Sequence, residues 1–189
     1  SDDMYCVFLG KAVQTVNPPA GSVGLSQLSA TGTKDATTFL RGDNTFASAG
    51  GTNTPIIYAQ ASTATSMTNG TSTKITLDNE IIDTDGVFAS SRFTVTSAGK
   101  YLIIGQVSVN LTSSTAAVNS FIRVNNVDKS FGLANSNQAS ANTVNARTSI
   151  IIDLSVSDYV ELFGYHNNGN TINTNTNYYT NLSITKLVE

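Results

Sequence analysis

The sequence predicts an all-β protein: an antiparallel sandwich preceded by a less regular connector. Three observations lead there. Beyond Pro55 the apolar residues alternate with period two, which marks strands with one face in a core and one in water. Charged residues are only 12% of the 189, against roughly 25% in ordinary globular proteins. Thr, Ser and Asn, about a third of the chain, take their place, and these suit strand faces and turns better than helices.

The chain divides near residue 52, into a connector (1–52) and a head (53–189). The connector holds Pro18 and Pro19, two of the three prolines, with Gly21 to Gly24 and Ser48 to Gly51. Proline removes a donor and glycine loosens the backbone, so this part has too few periodic apolar positions for a core of its own. The apolar patch Met4 to Leu9 is its one candidate strand. The chain opens Ser1-Asp2-Asp3, with Met at position 4, and is expected to be a piece of a longer or processed protein.

In the head the clearest strand runs from Val144 to Leu154: Val144, Ala146, Thr148, Ile150, Ile152 and Leu154 face in, and Asn145, Arg147, Ser149 and Asp153 face out, with Ile151 as the exception. Tyr101 to Leu111 repeats the pattern, with Gln106, Ser108 and Asn110 on the wet side. Weaker strands follow at Ile56 to Ala61, Ile75 to Ile82, Phe93 to Thr96, Ser120 to Asn125, Tyr159 to Tyr165 and Tyr178 to Val188. These strands, with no convincing amphipathic helix between them, indicate a jelly-roll or immunoglobulin-type sandwich.

Connection lengths add a polarity. Ser97 to Gly99, Asn125-Asn126 and Ser155 to Asp158 are tight, whereas Leu111 to Ala116, Ala134 to Asn142 and Asn167 to Asn177 are long and polar. If short and long connections alternate, the long ones share one end, and loops on a rigid scaffold are where binding concentrates.

Within the head, Asp83-Thr84-Asp85-Gly86-Val87-Phe88, Arg92-Phe93-Thr94-Val95, Ala98-Gly99-Lys100-Tyr101-Leu102 and Ser157-Asp158-Tyr159-Val160 resemble the globular head of complement recognition proteins and tumour-necrosis-factor-like ligands. The resemblance covers Pro55 to Glu189 and implies a ten-stranded jelly roll, assembled as a homotrimer with both termini at its base. Ser157 stands where that family usually carries Gly. A second resemblance lies in the connector: Leu28 to Thr33, then Thr38-Phe39-Leu40-Arg41-Gly42-Asp43-Asn44-Thr45-Phe46, is similar to the linker that precedes the distal head in bacteriophage tail-fibre and tail-spike proteins. Together they imply the receptor-binding tip of a tail fibre on a virion, attaching to a bacterial surface molecule. The other readings are a structural trimerisation or capping domain and a secreted complement-type head.

Other motifs carry less. Arg41-Gly42-Asp43 matches the integrin tripeptide but sits inside the linker pattern. Sequons at Asn69, Asn110 and Asn181 are expected by chance in such a composition. Cys6, the one cysteine, permits no intrachain disulfide and reads as a small buried hydrophobe. Asp78, Glu80, Asp83 and Asp85 supply oxygens of the kind calcium takes; Asp83 and Asp85 are the best pair but lack the rest of a calcium loop, so solvated turn carboxylates are the expectation, with no metal and no cofactor.

With a net charge of −3, from 10 Lys+Arg and 13 Asp+Glu, no basic patch can dominate, and nucleic acid is not an expected partner. No apolar run reaches the roughly 18 residues of a membrane span. The only histidine, His166, has no nucleophile placed beside it by any motif, so no enzyme activity is expected; hydrolysis of a surface polysaccharide stays as a minor alternative.

Two residue sets are singled out. Tyr159, Phe163 and Tyr165 fall on the outward side of their strand, opposite Val160, Leu162 and Gly164, and bare aromatics there suggest the trimer interface. Asn135, Asn137, Gln138, His166, Asn167, Asn168, Asn170, Asn173 and Asn175, with Tyr178 and Tyr179, are placed on the apical loops. Amides bond sugar hydroxyls and an aromatic face covers a sugar's apolar side, so a neutral glycan is the expected ligand.

Overall fold

The computed structural model describes residues 29–48, 53–113, 115–136 and 142–187, and the chain forms two compact units, Ser1–Ala49 and Gly50–Glu189. The Met4 to Leu9 strand, Asn137 and Gln138 lie outside the described residues.

The first unit is more regular than its composition suggests. β1 (Thr38–Leu40) and β2 (Phe46–Ser48) form a hairpin. Asn44 turns its tip at φ 62°, and the Asp43 carboxylate accepts the Thr45 amide at 3.1 Å and hydroxyl at 2.6 Å. Arg41-Gly42-Asp43 is therefore the loop of this hairpin. Gly32 lies under it: a Cβ there would sit 2.3 Å from the Phe46 carbonyl oxygen, so no larger residue lets Thr31 accept the Phe46 amide at 2.7 Å.

The second unit is all-β, with no helix among the described residues. Its strands are β3 (Ile56–Ala61), β4 (Ser66–Met67), β5 (Thr73–Lys74), β6 (Asn79–Asp83), β7 (Phe88–Ala89), β8 (Arg92–Thr94), β9 (Gly99–Leu111), β10 (Ala117–Val124), β11 (Val127–Asn135), β12 (Asn142–Leu154), β13 (Tyr159–His166), β14 (Ile172–Asn173) and β15 (Asn177–Lys186). One antiparallel sheet has the order β12-β9-β15-β3-β6; the other has β11-β10-β13-β8-β7, with β5 also on β13; β4 and β14 form a small third pair. Ile57, Ile103, Leu111, Ile122, Leu162, Leu182 and Ile184 are fully buried between the two large sheets, with Phe93 and Tyr101 in contact at 5.6 Å.

The inward residues of β12 and β9 are those the alternation picks out, and Ile151 is exposed. Two expectations fail. Ile75 to Ile82 is not one strand: the chain leaves the first partner after Lys74 and joins the other sheet at Asn79. Asp78 makes the crossing, its carboxylate accepting the Ser62 amide at 2.6 Å and the Thr63 amide at 3.2 Å, and the Thr63 hydroxyl with these amides holds it well below the usual carboxylate range. Val127–Asn135 forms a strand that the alternation does not reveal. It closes one side of the sandwich against β12, where Ser130 donates to the Ser149 carbonyl at 3.1 Å and a Cβ on Gly132 would fall 1.7 Å from the Arg147 carbonyl.

Short connections gather at one end. Asn125 and Asn126 take φ 51° and 66°, the left-handed pair of a two-residue hairpin turn, and Asn125 donates to Asp158 at 2.7 Å. Ser157 adopts φ 75°, a conformation that glycine adopts without strain and a serine does not. At the same end Lys186 donates to the Pro55 carbonyl and Leu187 to Lys100, which brings the head's entry and exit together.

Candidate functional site

The three long connections meet at the opposite end. The Asn168 carbonyl oxygen accepts the Thr112 amide at 2.8 Å and the Ser113 amide at 3.3 Å, Asn167 accepts the Ala117 amide at 2.6 Å, and Ser136 donates to the Ala116 carbonyl at 2.9 Å. Asn69 joins them by accepting the Gly169 amide at 2.7 Å.

These bonds correct part of the expected ligand surface. His166 closes β13 with 0% exposure and Asn168 has 7%. The His166 Nε2 bonds the Met67 carbonyl at 2.9 Å, and its Nδ1 accepts the Asn168 amide at 3.2 Å. A carbonyl can only accept, so Nε2 carries the proton and both ring nitrogens are occupied. His166 and Asn168 hold the loops together and are not accessible to a ligand. Asn135, Asn167, Asn170 and Asn173 are exposed, and Asn175 is half-buried.

A cleft of about 270 Å³ gathers Asn175 and Tyr179 with Asn110, Thr143, Thr176 and Asn177. It is lined by the last residues of the 167–177 connection and by the adjoining ends of β9, β12 and β15. Thr143 donates to the Asn110 carbonyl oxygen at 2.8 Å, Asn110 donates to the Asn175 carbonyl oxygen at 3.3 Å, and Asn175 donates to Ser108 at 3.0 Å. Ser108 and Gln106, expected on a wet face, are buried because the 174–181 segment folds over them: Gln106 donates to the Tyr179 carbonyl at 2.6 Å.

The register of β15 against β3 jumps from Asn177↔Ala61 to Asn181↔Gln60. Tyr178, Tyr179 and Thr180 therefore bulge from the ladder, led by Asn177 at φ 59°. Thr180 turns in, buried, and takes the Ser108 amide at 3.2 Å. Tyr178 and Tyr179 turn out, 63% and 40% exposed, with ring centroids 4.4 Å apart, and the Tyr179 hydroxyl raises the Tyr178 phenol above its ordinary pKa. Asn110 was legible as an outward residue, and Thr176 and Asn177 fell in the long polar connection; Thr143 carried no signal, and only the bulge brings the four together.

Tyr159 and Phe163 do lie on an outward face but already have cover. The Arg92 guanidinium sits 4.0 Å from the Tyr159 ring centroid and that of Arg123 3.9 Å from Phe163, and all three expected interface aromatics, Tyr165 included, are half-buried. Two of the three rings no longer ask for a subunit contact. Between them Glu161 is buried, with Lys74 at 2.7 Å and Arg92 at 2.9 Å. Burial pushes its pKa up, but hydrogen bonds and charge from the two cations outweigh this and leave it below the ordinary value.

Both oxygens of Asp83 are engaged by backbone amides, Oδ1 by Asp85 and Val87 and Oδ2 by Phe88 at 2.9 Å. That arrangement staples a turn. No metal-binding group of three or more His, Cys, Asp or Glu side chains occurs among the described residues.

No family model and no curated protein matches the chain. Among solved structures, murine APRIL at pH 5.0 aligns with a TM-score of 0.53 at 12% identity, over 70% of this chain and 98% of that one. The globular domain of zebrafish complement 1qA protein aligns with a TM-score of 0.53 at 10% identity, over 70% and 96%. The head is a jelly roll of the tumour-necrosis-factor-like and complement-globular-head type. At such identities the likeness is one of fold alone, and the jelly roll here is a scaffold whose function must be argued from its surfaces.

Proposed function

We propose that this chain is the receptor-binding tip of a phage tail fibre, a homotrimer whose loop end attaches the virion to a neutral glycan on a bacterial surface. One observation carries the reading: the jelly roll gathers its entry and exit at one end and its long amide-rich connections at the other. The chain enters and leaves the head at the first end, so this reading gives the second, loop-bearing end to the host. The linker resemblance at Leu28 to Phe46 supports the fibre assignment.

Trimerisation is supported by two apolar areas on each chain. The outer face of the five-stranded sheet bears Ile104 and Ile151, 40% and 62% exposed, and the β11 rim of the other sheet bears Phe131 and Leu133. Face and rim are different surfaces, so rim-on-face contact between copies is heterologous, and a threefold rotation between copies closes it as a trimer. This second role, assembling the fibre, coexists with binding. No catalytic step is assigned, since the imidazole is engaged on both nitrogens.

The test is binding of labelled head to a panel of bacterial strains, with competition by polysaccharide extracted from those that bind. Saturable binding removed by the polysaccharide is expected. Binding to no strain, or binding that the extract leaves unchanged, overturns the glycan-receptor reading.

A further inference from the structure

We infer that the cleft formed by Asn110, Thr143, Asn175, Thr176, Asn177 and Tyr179 is a subsite for one neutral pyranose ring, an assignment that rests on the proposed glycan-binding function and locates it. The amides are preoriented. Thr143 fixes the Asn110 carbonyl oxygen, Asn110 donates to Asn175, and Asn175 is tied to the buried Ser108. A carboxamide has two N–H donors and two acceptor lone pairs. The Asn110 to Asn175 bond uses one N–H of the former and one lone pair of the latter, leaving a donor and an acceptor side by side. Two neighbouring sugar hydroxyls, each able to donate and accept, complement that pair without displacing the network.

The aromatic wall is fixed as well. The bulge at Tyr178 to Thr180 turns Tyr179 into the cleft, and the Gln106 bond to its carbonyl and the Tyr178 ring 4.4 Å away hold it there. A ring with an apolar face gains contact area on such a surface at little entropic cost, because the tyrosine is already ordered.

Charge and size narrow the ligand. No Lys, Arg, Asp or Glu lines the cleft, so a uronate or sialate carboxylate would lose hydration with no counter-charge in return. The volume of 270 Å³ lies just under the roughly 300 to 1,000 Å³ of drug-sized sites, which suits one ring and not an extended oligosaccharide. Asn110 is six residues along β9 from Ile104, about 20 Å, so a subunit seated on the apolar part of the sheet leaves the cleft open. Three such weak subsites per trimer give useful avidity on a repeating polysaccharide.

The deciding experiment titrates the isotope-labelled full chain with methyl glycosides of glucose, galactose, mannose and N-acetylglucosamine, and with methyl glucuronide, while following the side-chain amides by NMR. At least one neutral glycoside is expected to move the Asn110 and Asn175 resonances, and the glucuronide to leave them still. Asn177→Gly, which removes the carboxamide and keeps the φ 59° backbone unstrained, and Tyr179→Ala should each weaken that binding about tenfold, the loss of one hydrogen bond or stacking contact, and Asn170→Ala should not. No movement with any neutral glycoside, or movement confined to Asn170 and Asn173, overturns the subsite. Cell binding by the parent chain that both cleft variants retain also overturns it and keeps the receptor function; a parent chain that binds no cells while the titration succeeds overturns the receptor function and keeps the subsite.

Discussion

The outward faces of the two large sheets differ in how their apolar side chains meet water. On the six-stranded sheet the β13 rings Tyr159 and Phe163 lie under the guanidinium groups of Arg92 and Arg123, whose charges are met by Glu161 and Asp128, and only at its β11 edge do Phe131 and Leu133 stand bare. On the five-stranded sheet the register aligns Ile82 with Tyr58 and Ile151 with Leu102, and Ile82, Ile104 and Ile151 stand 40% exposed or more with no such cover. Alternation shows which side chains leave the core; it does not show what covers them outside. A long cation from a neighbouring strand can lie over a ring and satisfy it within the monomer, whereas an isoleucine offers nothing for a cation to hold and stays bare until another surface arrives.

The largest effect follows from charging the bare face. Ile104→Glu with Ile151→Glu is expected to convert the proposed trimer to a folded monomer, since two carboxylates would have to be desolvated in the contact. Light scattering should report one third of the parent mass, with circular dichroism unchanged. Phe131→Glu should do the same from the rim. Phe163→Ala should destabilise the fold yet keep the trimer, and a monomeric Phe163→Ala beside a trimeric Ile104→Glu/Ile151→Glu would return the interface to the aromatic face.

The next effect tests the covered face from beneath. Glu161 is buried while Lys74 and Arg92 reach solvent, so Glu161→Gln loses two charge-assisted bonds but strands no buried cation, and about 2 kcal/mol is the expected loss. The pH dependence has a definite sign. The folded pKa lies below the unfolded value near 4.5, so the stabilisation is complete above that value and is lost as pH falls through the folded pKa. Denaturant midpoints measured from pH 6 downward should therefore fall more steeply below about 4.5 in the parent than in Glu161→Gln, and parallel curves would mean the ion group does not stabilise the fold.

What the sequence discloses follows the same division. β9, β12 and the inward residues of β13 are legible because burial on one side leaves a period of two. β11 is not, because of its nine residues only Gly132 is buried, and closure against β12 demands the absence of a side chain, not a stripe of them. The shared end of the long loops was legible from connection lengths. Which amides there face a ligand was not: Asn167 and Asn168 adjoin in sequence, yet Asn168 is folded under to brace Thr112 and Ser113 and Asn167 is left exposed. Asn168→Ala should cost about 1 to 2 kcal/mol, as for buried amides left unpaired, and hydrogen exchange should quicken at Thr112 and Ser113 first. Unchanged exchange there would mean the loops are held by other bonds.

The smallest expected effect bears most directly on the comparison. Arg123 stacks on Phe163 while bonding Asp128 and, at 3.0 Å, Ser72. Arg123→Lys keeps the charge but removes the flat guanidinium that covers the ring, and a stacked cation at a partly exposed site contributes about 0.5 to 1 kcal/mol. Part of any loss will come from Asp128 and Ser72, so the stacking contribution has to be isolated by a double-mutant cycle with Phe163→Leu, which removes the ring and leaves the other partners in place. A coupling of about 0.5 kcal/mol, with all four proteins trimeric, is the outcome expected of cover supplied inside the monomer. Zero coupling would mean that the arginine only lies near the ring. Loss of the trimer in the Arg123→Lys protein would mean that the cation and ring belong to a subunit contact after all, and the distinction between a covered and a bare face would fail.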